Sequence, residues 1–270
     1  DVIRNQFELD EGDPFNDILI TKTTNNLRSL NFFKNVKSEI LDGSSPDSKI
    51  INYKIEEKPT GEISAGAGFG TSGGSIAFGV NENNYLGKGI KFSTNLILRE
   101  DSVKGSFSVN NPNFRNTDKS VYSTIQSSEL DKLTDFGYKS NKTGFKVGTK
   151  FEYLRDFDLG VGVNSFYEKI ETDSTASARQ KKQEGDYFDN HLSLIFDYDK
   201  RNQKFKTTDG VKSYLKFDAP IVSETNTFSN TYIFDSYNKI FSSNIIKTSF
   251  YFSSANSLTG EDIKLSERIN

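Results

Sequence analysis

A few groups of residues in this 270-residue chain are of types that do chemistry: the acidic pairs Glu56 with Glu57 and Asp197 with Asp199, a lone His191, a glycine cluster Gly66-Ala67-Gly68-Phe69-Gly70, and adjacent Lys181 and Lys182. Paired carboxylates exchange protons or hold a cation when a third polar group completes the site. On a strand Asp197 and Asp199 share a face, because side chains alternate with a period of two. Nothing in the sequence completes either pair, so both are expected in turns or on a wetted sheet face. One histidine and no cysteine leave no ligand set for zinc. His191, beside an apolar strand, reads as structural. The glycine cluster lacks the helix start and lysine of a phosphate-binding loop, and the two lysines read as a solvated loop charge. The sequence predicts no enzyme, no cofactor and no metal site. What the glycine cluster does must follow from the strand that carries it.

That strand begins at a junction, residues 56–70. Pro59 removes a backbone donor and fixes φ, so a preceding strand ends there. Beyond it Ile63, Ala65, Ala67 and Phe69 alternate with Glu62, Ser64, Gly66 and Gly68, the period of an extended segment. The glycines leave little side-chain mass to pack and weaken a strand interior.

Composition narrows the class. Hydrophobic residues are 34% of the chain, below the roughly 45–50% of soluble domains on a count that includes glycine. Disorder is excluded by 23 Phe and 12 Tyr, many at alternating positions. With 34 basic against 37 acidic residues, no basic patch points to nucleic acid. No apolar run approaches the roughly 20 residues of a spanning helix, whereas a membrane β-barrel, whose strands alternate, is compatible with this composition. No signal peptide is seen and residue 1 does not resemble a native start, so the chain reads as a fragment.

Before the junction, Ile3 and Phe7 at i, i+4 spacing predict a short helix over 1–8. Asp13-Pro14 supplies a cap and a first-turn proline for a second helix over 14–30. Its expected inward residues are Ile18, Leu19, Leu27 and Leu30; Asn16, Asp17, Thr24, Asn25 and Arg28 face outward. Strands are predicted over 34–41 and 49–57, joined by a turn-rich segment at 42–47.

After the junction, alternating stretches predict about eleven strands, near 62–69, 74–84, 89–99, 103–110, 119–129, 143–152, 158–171, 187–199, 210–218, 228–239 and 244–254. Each has one apolar and one wetter face: Phe145, Val147, Thr149 and Phe151 oppose Lys146, Gly148 and Lys150, and Leu192, Leu194, Phe196 and Tyr198 oppose Ser193, Ile195 and Asp197. Several approach the roughly 9–11 residues that cross hydrocarbon at a tilt. Short turns at 85–89, 111–116 and 155–158 contrast with longer polar connections at 130–142 and 171–186, as membrane barrels require. Tyr85, Phe114, Tyr153, Phe157, Tyr187 and Phe188 are candidates for interfacial girdles.

Several runs carry a family resemblance: Glu11-Gly12-Asp13-Pro14-Phe15, then 27–36, Glu56-Glu57-Lys58-Pro59-Thr60-Gly61, Asn84-Tyr85-Leu86-Gly87-Lys88-Gly89, Asn111-Pro112-Asn113-Phe114, 197–202 with 207–210, and the closing 265–270. In order and spacing they resemble the outer-membrane protein assembly factor (BamA-like) family. The resemblance implies a mainly β fold: a partial antiparallel transmembrane β-barrel at 59–270, preceded by an incomplete α+β POTRA domain at 1–58 whose first strand is missing. It implies an outer-membrane location in a Gram-negative bacterium, with the POTRA part in the periplasm. It further implies that the protein folds and inserts barrel precursors through a weakly paired first barrel strand. In that role Ile63, Ala65, Gly66, Ala67, Gly68 and Phe69 form a lateral gate. Lys34, Val36, Ser38 and Ile40 form a POTRA edge that captures extended segments. The implied partners are unfolded outer-membrane precursors, outer-membrane lipids and assembly-complex lipoproteins. The family's Arg-Gly-Phe loop motif and last barrel strands are absent from these residues. Two other readings stand beside this one: a POTRA-barrel exporter of a dedicated substrate, of the two-partner or autotransporter-assembly type, and a soluble β-rich binding module.

Overall fold

The structure, a computed structural model, describes residues 2–70, 73–203, 206–241, 244–260 and 262–268. It opens with a single 3-10 turn at Arg4–Gln6 instead of the predicted helix. Too few apolar residues lie between Asp1 and the Glu11-Gly12 turn to nucleate a longer one. Helix α1 spans Asp17–Ser29, and its cap is Asn16, whose side chain accepts from the N–H groups of Ile18 (2.9 Å) and Leu19 (3.3 Å). Asp13, the expected cap, instead accepts from the Asp10 N–H at 2.9 Å.

The later start selects a different face. Ile20, Thr23, Thr24 and Leu27 are buried, at i, i+3, i+4 and i+7, while Ile18, expected inward, is 77% exposed. Thr24, expected outward, buries its methyl because its hydroxyl donates to the Ile20 carbonyl at 2.9 Å. Asn31, at φ 58°, ends the helix in the left-handed region.

Strands β1, Phe33–Asp42, and β2, Lys49–Glu57, pair antiparallel as a two-stranded sheet. Val36 and Leu27 join this hairpin to α1 in a small core with Ile20 and Phe32. Glu8 clasps the amino-terminal segment to the helix through Lys22 and the Asn26 amide, both at 2.9 Å. At the junction the Lys58 N–H donates to the Phe32 carbonyl, and Pro59 then stops the pairing.

The remaining strands are β3 (Gly61–Gly70), β4 (Gly73–Tyr85), β5 (Ile90–Arg99), β6 (Ser102–Asn111), β7 (Ser120–Lys132), β8 (Tyr138–Leu154), β9 (Phe157–Thr172), β10 (Gly185–Asp199), β11 (Gly210–Ser223), β12 (Thr227–Lys239) and β13 (Ile245–Ser257). They make one 11-stranded sheet in strict sequence order, each strand antiparallel to the next. The predicted strands match in number and order. The expected polar connection over 130–142 is mostly hairpin, because β7 and β8 pair out to Lys132 and Tyr138.

The register decides which way each face points. Partners across the ladder run Ile63, Val80, Thr94, Phe107, Ile125 and Phe145, and Leu159, Phe196, Leu215, Tyr232 and Phe252 continue on the same side. On this side Val80, Phe107, Ile125 and Phe145 are exposed. A stair of rings, Phe157, Phe196, Phe217 and Phe228, climbs it at centroid spacings of 6.4, 6.1 and 5.9 Å.

The opposite face carries the buried polar residues Asn164, Glu168, Asp189, Ser193 and Asp197. Side chains there reach across two strands. Lys150 on β8 meets Asp197 on β10 at 3.0 Å, and the Asn164 amide on β9 donates to Asp218 on β11 at 2.9 Å. Such reaches require that face to be concave. The sheet is therefore inside out relative to a soluble sandwich, oily outside and hydrated within, the arrangement of a barrel wall in lipid. The exposed apolar face removes the reading as a soluble binding module.

Candidate functional site

Strand β3 has β4 as its one neighbour among the described strands, and every residue along it is exposed. Ile63 (84% exposed) and Phe69 (96%) project from the outer face with Ala65 and Ala67, while Gly66 and Gly68 lie on the concave face, following Glu62 and Ser64 along the strand. A Cβ built on Gly66 would meet nothing within 4 Å, and one on Gly68 would meet only the Ser75 hydroxyl, at 3.6 Å. These glycines relieve no crowding inside this chain.

Glycines elsewhere in the sheet behave in the opposite way. Gly148 on β8 and Gly162 on β9 are register partners. The Tyr122 ring from β7 lies over both, so that a Cβ would collide with the ring's Oη and come within 2.5 Å of its Cζ at Gly148, and within 2.6 Å of its Oη at Gly162. A glycine there is a socket for a neighbour, whereas in β3 it removes mass and puts nothing in its place.

The residues Lys34, Val36, Ser38 and Ile40 lie on β1. Val36 is buried under α1, Ile40 is 43% exposed, and Lys34 is drawn across the hairpin to Glu56 at 2.8 Å. The strand's second edge carries no ladder partner among the described residues. On the same hairpin, hydrogen bonds from Lys54 to Glu39 and from Lys49 to Asp42, with the added charge of each lysine, hold both carboxyls below the ordinary carboxylate range.

The acidic pairs do not become a chemical site. Glu56 binds Lys34 and Asp199 binds Arg201 at 2.6 Å, while Asp197 faces the concave side between Lys150 and Lys212. His191 sits on that side opposite Asn164. Among the described residues no group of histidine and carboxylate side chains is arranged to hold a metal ion, and no helix is long and apolar enough to cross a membrane.

Among the girdle candidates, Tyr85, Phe114, Tyr153 and Phe188 are exposed as expected. Tyr187 is not. One residue before Phe188, it takes the concave face and lies 4.7 Å from the Lys264 ammonium.

Lys264 belongs to a feature that pattern reading missed. After β13 the chain passes a 3-10 turn, Leu265–Glu267, and leaves Lys264 only 2% exposed. Its ammonium binds Asp189, Glu168 at 3.2 Å and Glu267 at 3.6 Å. Burial works to lower its pKa, but the Glu267, Glu168 and Asp189 carboxylates outweigh that and hold it above the ordinary lysine value. Residues 269 and 270 of the closing motif lie outside the described residues.

Comparison with known proteins bears on all of these elements. Residues 84–270 match the Omp85 superfamily domain, and residues 1–58 match a POTRA family described as a surface antigen variable number repeat. The outer membrane protein assembly factor BamA of Nitratidesulfovibrio vulgaris is 23% identical over 249 residues, covering 88% of this chain and 30% of that protein. A putative outer membrane protein assembly factor of Treponema pallidum is 29% identical over 108 residues, 38% of this chain and 13% of that one. The chain thus spans about a third or less of these relatives. In structure it is similar to BamA from Haemophilus ducreyi lacking POTRA domains 1–3, with a TM-score of 0.69 at 21% identity over 97% of this chain and 54% of that chain. It is also similar to CdiB from Acinetobacter baumannii, with a TM-score of 0.57 at 10% identity over 98% of this chain and 51% of that chain. At these identities the structural likenesses establish the fold.

Proposed function

Because this chain belongs to the Omp85 superfamily, we propose that the complete protein folds β-barrel precursors and inserts them into the outer membrane, with β3 as the strand that opens. In this reading residues 1–58 are a POTRA unit in the periplasm and residues 59–270 the amino-terminal part of the barrel. The observation that carries the proposal is the emptiness around the β3 glycines, whose concave side meets nothing among the described residues but the Ser75 hydroxyl beside Gly68. Parting β3 from a further strand breaks backbone hydrogen bonds but little side-chain packing.

An unpaired strand edge is a template for an incoming strand, which gains main-chain hydrogen bonds as it adds. The precursor's own strand pairing and lipid burial drive the process without catalysis. Lys34, Val36, Ser38 and Ile40 offer a second edge on β1, suited to extended precursor segments or to assembly-complex lipoproteins, and outer-membrane lipids meet the exposed aromatic face.

The test is to replace Gly66 and Gly68 together with valine in the complete protein and to follow folding of a reporter barrel in vesicles. Neither Cβ meets an obstacle, so the variant itself folds, and gel mobility without boiling checks this. Stiffening the seam by the ~1 kcal/mol per residue that separates strand formers from glycine slows reporter assembly by about tenfold or more. Unchanged assembly counts against the gate. An exporter of one dedicated substrate, the alternative carried by the same fold, shows loss of that substrate's export with no defect in general barrel assembly.

A further inference from the structure

The segment after β13 is held by contacts that no strand pairing accounts for. Asp262 forms a two-pronged ion pair with Arg179 of the β9–β10 connection, at 2.6 and 2.9 Å. The Gln183 amide donates to the Ile263 carbonyl at 3.3 Å, and the Ser266 hydroxyl donates to Glu168 at 2.7 Å. Between these contacts Lys264 is inserted into the sheet's concave face.

The receptor for that lysine is built. Glu168 on β9 is fully buried and accepts from Ser140 on β8 at 2.7 Å, with Lys142 at 3.6 Å. Asp189 on β10, 1% exposed, accepts from the Ser223 hydroxyl and from the N–H (3.1 Å) and hydroxyl (2.9 Å) of Thr225 in the β11–β12 turn. The Tyr187 ring closes one side. A buried carboxylate pair of this kind is costly without its cation, so the wall and the lysine depend on each other. The lysine comes from a segment 75 and 96 residues further along the chain.

We propose that Lys264 is a latch that pins the chain emerging from β13 onto the β9–β10 wall, three strands away, and so closes that side of the lumen's outer mouth. That mouth is the outer one under the proposed function, since the POTRA unit is periplasmic and β9, β11 and β13 all end away from the side on which β3 enters the sheet. The latch itself does not depend on the assembly role. Lys264 acts here by positioning the segment, whatever follows it.

Trypsin acting on the complete, folded protein in vesicles tests the latch through cleavage at Arg268 and Arg179. Lys264→Met leaves Asp189 without its cation and Glu168 with Lys142 alone, and is read beside the variant that also neutralises both acids, Lys264→Met with Glu168→Gln and Asp189→Asn. Lys169→Met, in an exposed pair with Glu171 on the other face, is the control. The expected result is a triple variant that keeps the folded gel mobility yet is cut at Arg268 at least about tenfold faster than the parent, in proportion to the opened population, with the control unchanged. A folded triple variant as protected as the parent overturns the latch. A triple variant that does not fold also overturns it, since the charges are then part of the wall and not a fastening laid on it. Reporter assembly measured on the same samples is a separate readout, so failure of the assembly reading is distinguishable from failure of the latch.

Discussion

The contact of Tyr122 with Gly148 and Gly162 makes a sharp prediction. At Gly148 an added methyl carbon would collide with the Tyr122 Oη and lie 2.5 Å from the ring carbon Cζ, and at Gly162 it would lie 2.6 Å from Oη, against 3.4–4 Å for ordinary contact. The ring must then retreat by about 0.8–1.0 Å, on a concave surface where its neighbours are packed. Overpacking of this kind costs ~1–3 kcal/mol, so Gly148→Ala and Gly162→Ala are each expected to destabilise the barrel by that amount. Gly66→Ala, which meets nothing, is expected to be neutral or to stabilise by up to ~1 kcal/mol through the unfolded chain. The partner dependence is more telling than the size. Tyr122→Phe deletes Oη, the nearest ring atom at both sites, and recovers part of each loss, the smaller part at Gly148→Ala, where Cζ at 2.5 Å and Cε1 at 2.8 Å remain. Tyr122→Leu, which removes both atoms, relieves both with a coupling of ~1–2 kcal/mol. Urea titration of the complete protein in vesicles, read as the fraction keeping its folded gel mobility, measures each change. If the three alanine variants are equally stable, or if Tyr122→Phe rescues neither site, the socket geometry is wrong.

In the amino-terminal unit, Leu27→Ala removes a fully buried side chain and is expected to cost ~2–5 kcal/mol. Ile18→Ala, on the exposed side of α1, stays within ~0.5 kcal/mol; rates of proteolysis within residues 1–58 compare the two. The Lys264 ammonium is held above the ordinary value of 10.5. Its contribution is therefore complete below that value and is lost as pH rises through the folded pKa, so trypsin protection of Arg268 should persist through neutral pH and fail only in strong alkali.

The period-two pattern settled a great deal without any structure. Each strand's alternation is a local property, and the turn residues between strands are local too, so eleven strands in order and the identity of their apolar faces could be taken from residues such as Phe145, Val147 and Phe151 alone. The junction at Pro59 and the glycine-weakened strand after it were visible for the same reason. The start of α1 differs because Asp13-Pro14 has the local marks of a helix start, whereas Asn16, expected on the outward face, caps the helix once α1 packs against β1. Tyr187 and Phe188 have the same local credentials for a girdle, and the register to β9 sends one to lipid and the other inward. The burial of Lys264 had no local signal, since its carboxylates are contributed by β9 and β10 far back along the chain. The type and face of each strand follow from neighbours in sequence; the pairing of Tyr122 with two glycines and of Lys264 with two buried acids exists only once the sheet curves and brings distant strands within reach.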